Sequence, residues 1–105
     1  MSTIRYNKLV RDRIPEIISN NDKRCVCRTL SDDEYIMMLD AKLNEELEEY
    51  QESKSTEELA DLLEVIRAVA KARGSSIDDV ETIRRDKASK CGGFEQKILL
   101  VEVMD

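Results

Sequence analysis

Histidine and tryptophan are absent from this 105-residue chain, proline occurs once and glycine three times. Without imidazole the chain has no nitrogen ligand suited to zinc or copper, so its carboxylate oxygens point to a hard ion instead. Three glycines build neither a Walker-type phosphate loop nor a dinucleotide-binding fingerprint. No run approaches the eighteen apolar residues of a membrane span, and the N-terminus lacks the apolar core of a signal peptide. These absences lead to the expectation of a cytoplasmic protein with no membrane partner. Cys25, Cys27 and Cys91 are too few and odd in number for a disulfide framework. They read as free thiols, and a Cys-x-Cys with one distant cysteine lacks a fourth zinc ligand. No internal repeat is present.

What is abundant is charge, and it is unevenly placed. The chain is 38% charged with a net charge of −6, against 41% hydrophobic residues, a balance that suits an ordered helical protein rather than a disordered one. Residues 40–64 hold ten acidic and two basic residues, while the flanks on either side are nearly balanced. No uniform basic surface exists for a phosphate backbone, so nucleic acid is not the expected partner. The length allows one domain, residues 1–105, with a modest core that association between copies would supplement.

The acidic centre coincides with the strongest helical patterning. Ile36, Leu39, Leu43, Leu47 and Tyr50 recur at steps of three and four, as do Leu59, Leu62, Leu63, Ile66, Val69 and Ala70, each set forming one face of a helix. Residues 52–56 leave room only for a tight reversal, and Ser55 followed by Glu58 fits a capping box. Two helices so joined lie antiparallel. With the reversal at Ser53-Lys54, Glu49 stands level with Glu58 and Glu46 with Asp61. Each acid pair spans roughly 4.5 Å along its helix. Four carboxylates meeting in a partly dry groove repel one another and require a cation, and their hard oxygens suit Mg2+ or Mn2+.

Around this hairpin, Pro15 opens a short helix that Asn20-Asn21-Asp22 ends, and Ser31 or Asp32 caps the long helix running to about Ser53. Gly74 stops the second hairpin helix, a further helix begins near Ser76, and Ile98–Val103 forms either a short strand or an extended segment packed on the bundle. The expected fold is all-α: an antiparallel helical bundle built on a long hairpin, with extended N- and C-terminal segments.

Glu45-Glu46-Leu47-Glu48-Glu49, followed by Glu58-Leu59-Ala60-Asp61, resembles the Glu-Glu-x-x-Glu … Glu-x-x-Asp signature of the all-α nucleoside triphosphate pyrophosphohydrolases. This is the MazG-like superfamily, which includes phosphoribosyl-ATP pyrophosphohydrolase. Tyr6-Asn7-Lys8-Leu9-Val10-Arg11-Asp12-Arg13-Ile14-Pro15 is similar to the opening of a small phosphoribosyl-ATP pyrophosphohydrolase-like subgroup, and Gly92-Gly93-Phe94-Glu95 to its closing motif. The resemblance therefore covers nearly the whole chain. It departs at Cys91, where the subgroup usually carries arginine, and this leaves the substrate range open.

The resemblance implies Mg2+-dependent cleavage between the α and β phosphates of a nucleoside triphosphate, giving monophosphate and pyrophosphate, in nucleotide-pool housekeeping. Carried over by motif, Glu46, Glu49, Glu58 and Asp61 correspond to the metal ligands, and Glu45 to an accessory ligand or a residue orienting water. Either Glu45 or Glu49 is a candidate to take the proton of the attacking water. Lys8, Arg11, Lys87 and Lys90 are candidates to neutralise the outer phosphates. The resemblance also implies a homodimer or dimer of dimers. Competing expectations are phosphoribosyl-ATP hydrolysis and a non-enzymatic acidic helical interaction module.

Overall fold

Every long helix of this chain starts at a serine whose hydroxyl satisfies a backbone N–H of the first turn. The computed structural model, which describes residues 2–105, contains α1 (Ile14–Asn20), α2 (Asp32–Ser53), α3 (Thr56–Ala72) and α4 (Ile77–Cys91), with no strand among the described residues. Ser31 caps α2 in a reciprocal box with Glu34, Ser55 accepts from the Glu58 N–H, and Ser76 accepts from the Asp79 N–H. Acidic residues crowd each of these first turns, where the helix dipole favours them.

The hairpin link is two residues long. Lys54 adopts the left-handed conformation at φ 57°, its N–H closing on the Tyr50 carbonyl at 2.7 Å, and Ser55 then starts α3. The reversal brings α2 and α3 together as an antiparallel pair, the main packing interaction of the fold. Gly74, at φ 83°, supplies the left-handed turn that ends α3 and sends the chain into α4, which leans on α3 alone. The N-terminal segment and residues 97–105 have no regular secondary structure, with Asn7 and Lys97 in the left-handed region. Ile98–Val103 is not a strand, and instead of packing on the bundle its large side chains stand largely exposed.

The core is small. Leu39, Val65 and Ala70 are the buried apolar residues, flanked by half-buried Ile36, Leu43, Tyr50, Leu62, Ile66 and Val69. Two details of the expected faces are corrected: Val65, outside the periodic set, is buried, whereas Leu47, Leu59 and Leu63 within it are exposed. The apolar stripe of α3 is wider than one antiparallel helix can cover, and its outer edge is left uncovered.

The molecule is elongated, 66 × 31 × 24 Å, with a radius of gyration of 18.6 Å, where a compact chain of this length has about 13 Å. Its accessible surface of 9922 Å² likewise exceeds the roughly 6,000 Å² of a compact monomer of this mass. Because so little is buried, each core residue matters. Leu39→Ala should cost about 2–4 kcal/mol, while Met37→Ala, on the exposed face of the same helix, should stay within about 0.5 kcal/mol of wild type. Urea unfolding followed by far-ultraviolet circular dichroism measures both.

Candidate metal centre

Helical spacing places Glu45, Glu46 and Glu49 on one side of α2, and Glu58 and Asp61 one turn apart on α3. The packed hairpin turns these two sets toward one another. Carboxylate oxygens of Glu45, Glu46 and Glu49 lie within 4.8 Å of one another, and so do those of Glu46, Glu58 and Asp61. Glu46 belongs to both triads. The five acids thus form two overlapping groups hinged on one residue rather than a single ring.

Glu58 is available to its triad because the capping box at α3 is only half built. Ser55 Oγ accepts from the Glu58 N–H at 3.3 Å, but the Ser55 N–H donates to Ser53 Oγ at 3.2 Å instead of to the Glu58 carboxylate. At α2, by contrast, Glu34 closes its box completely, and with Arg28 bonded across it its pKa falls to about 2.

Glu46 is buried, 7% exposed, an unusual position for a carboxylate. One oxygen, Oε1, lies 3.3 Å from Lys42 Nζ; the other, Oε2, is buried and accepts no hydrogen bond from the protein. Glu58 Oε2 is in the same condition. A buried oxygen without a donor costs about 1–3 kcal/mol, so two at one place mark a site built for something the chain does not supply. Burial, followed by the neighbouring Glu49 carboxylate, pushes the Glu46 pKa up against the opposing pull of Lys42. Burial acts on Glu45 in the same sense, but hydrogen bonds from Lys8 and Lys42 outweigh it and leave its pKa lowered. Lys8 is correspondingly raised by its bond to Glu45.

Lys42 is a participant that lies outside the acid motif. Its side chain is only 16% exposed and reaches both Glu45 Oε1, at 3.2 Å, and Glu46 Oε1. Spacing of three and four residues was the available signal. From the N-terminal segment, Lys8 Nζ meets Glu45 Oε1 at 3.0 Å and Arg11 Nη2 meets Asp61 Oδ1 at 2.7 Å. Lys87 and Lys90 are not brought against the acids: both are exposed on α4, and Lys90 pairs with Asp86 of its own helix. Cys91, the last residue of that helix, and Phe94, just beyond its end, are also exposed.

The donors are all oxygen, two of them buried and unsatisfied, and this arrangement fits a hard divalent ion. An all-α helical bundle carrying an acidic cluster able to associate with a metal is the class of protein that fold and site define. No protein-family model and no solved structure matches the chain. A stretch of 42 residues, 40% of the chain, is 62% identical to an uncharacterized protein of Mycolicibacterium smegmatis, of which it covers 43%. The match thus spans less than half of that relative's length.

Glu46 separates a metal centre from a structural ion pair. With its pKa raised on folding, its contribution to stability is full below the ordinary carboxylate value of about 4.3 and is lost as pH rises through the folded value. At pH 7 without divalent ions, Glu46→Gln should therefore be as stable as wild type or more so, by up to about 1 kcal/mol. The difference should close as the pH approaches 4, and the variant should bind Mn2+ more weakly in calorimetry. A clear fall in stability at pH 7 would instead make Lys42–Glu46 a structural pair.

Proposed function

We propose that the protein is a cytoplasmic, MazG-like nucleoside triphosphate pyrophosphohydrolase that depends on Mg2+, or Mn2+ in its place. It cleaves the α–β phosphoanhydride to give monophosphate and pyrophosphate in housekeeping of the nucleotide pool. The observation that carries this reading is the buried, donor-less Glu46 Oε2 at the junction of two acidic triads. The sequence resemblance over the acid motif and both ends of the chain supports the reaction class, and residues 1–105 form one domain in this reading.

Glu46, Glu49, Glu58 and Asp61 would hold the metal. When bound, the ion would offset the repulsion between acids and phosphates, polarise the phosphorus under attack and make a bound water more acidic. Glu45 and Glu49 lie beside the shared Glu46, and in this reading one of them would orient the attacking water and take its proton. Lys42 holds Glu46 in position from beneath. Lys8 and Arg11, already at the rim of the cluster, meet the outer phosphates, while Lys87 and Lys90 have to approach from α4.

The cluster itself offers no apolar wall for a nucleotide base, and the uncovered edge of α3 suggests where one comes from. A second copy packed on Leu47, Leu59 and Leu63 would form the homodimer, or dimer of dimers, and close the groove. The same exposed leucines favour the second reading, an acidic helical module that binds another protein. Magnesium-dependent binding of a nonhydrolysable nucleotide supports the enzyme, and its absence at millimolar concentrations supports the module. Phosphoribosyl-ATP is the alternative substrate within the enzyme class.

Glu49→Gln and Asp61→Asn should each reduce turnover by at least about a hundredfold while retaining the wild-type helical circular dichroism. Pyrophosphate release from a panel of canonical and damaged nucleoside triphosphates at saturating Mg2+ is the measurement, and near-normal rates in either variant would overturn the assigned roles. Light scattering should give at least twice the 12.1 kDa chain mass.

A further inference from the structure

Lys8 and Arg11 lie three residues apart in a segment without regular secondary structure, yet each ties that segment to a different helix of the hairpin. Lys8 reaches Glu45 on α2 and Arg11 reaches Asp61 on α3, partners 37 and 50 residues away in sequence. The segment therefore bridges the two helices across the acidic cluster. Its ion pairs are partly exposed, with side-chain exposures of 41% and 29% in one and 57% and 41% in the other, and pairs of this kind are weak and sensitive to salt. Beneath them Glu46 Oε2 and Glu58 Oε2 stay buried and donor-less, beyond the reach of either cation. The rim is neutralised and the floor is not.

We propose that the N-terminal segment is a counter-ion clasp, in which Lys8 and Arg11 exchange the rim carboxylates for the phosphates of a bound nucleotide once a divalent ion occupies the acids. This rests on the metal-dependent reading above. In the ion-free chain the two cations offset the mutual repulsion of the acids. A divalent charge on the same carboxylates satisfies Glu45 and Asp61 and repels the ammonium and guanidinium groups, and these weak pairs give way first. The released cations then stand beside the acidic cluster with no partner until phosphate arrives, where the guanidinium of Arg11 can form a two-pronged contact. Metal loading and phosphate capture are thereby coupled through one short segment. Lys42, fixed in the hairpin beneath Glu46, takes no part in the exchange.

Trypsin digestion of the full chain at low ionic strength reads the clasp directly, through the rate of cutting after Lys8 determined by mass spectrometry. Cleavage follows the open population, so Mn2+ alone should speed this cut by at least about threefold, and Mn2+ with a nonhydrolysable triphosphate should slow it again. Calorimetry on the same samples gives the metal affinity independently, and Lys8→Gln with Arg11→Gln should bind Mn2+ about two- to tenfold more tightly and the triphosphate complex more weakly. An unchanged cut after Lys8 in protein that demonstrably binds Mn2+ overturns the clasp and leaves the metal centre standing. Failure to bind millimolar Mn2+ overturns both.

Discussion

A single carboxylate buried between two helices sets the terms for the rest of this structure. Glu46 accepts one contact, from Lys42, and presents its second oxygen to a space lined by other acids. Desolvation and like-charge repulsion both disfavour its ionised form, so the hairpin packing of α2 on α3 has to outweigh that strain. It does so with only three buried apolar residues. The chain keeps this carboxylate where a glutamine or leucine would be less costly, and gives it a single cationic partner.

The surrounding charges follow from that arrangement. Three basic groups of two origins converge on the acids: Lys42 from the same helix, and Lys8 and Arg11 from the N-terminal segment. The cation of the helix is nearly buried, while those of the N-terminal segment are partly exposed. The elongated shape and uncovered leucines have a related cause. A hairpin with α4 leaning on one helix forms an open layer, which leaves the outer edge of the hairpin without a covering surface.

Local structure was readable from the sequence to within a residue or two. Ser31, Ser55 and Ser76 announce three helix starts, Lys54 and Gly74 fall where α2 and α3 end, and the three-and-four spacing of Leu39, Leu43, Leu62 and Ile66 gives the packed faces. These are short-range effects, fixed by neighbours within one helical turn. The meeting of Glu46 with Glu58 and Asp61 was also legible, because a two-residue link leaves an antiparallel pair little freedom of register.

Tertiary structure alone decided what depends on distance between segments far apart in the chain. Which helix edge is covered depends on how many neighbours the fold supplies, so the burial of Val65 and the exposure of Leu59 and Leu63 had no local signal. The half-built cap at Ser55, which leaves the Glu58 carboxylate to the cluster, turns on a competing serine hydroxyl two residues earlier. The bridging of the two helices by Lys8 and Arg11 is likewise a property of the folded chain. Sequence determined the helices and the acids they carry, through interactions that reach a few residues; the fold determined which charges meet, because Coulomb forces act on distances in space and not along the chain.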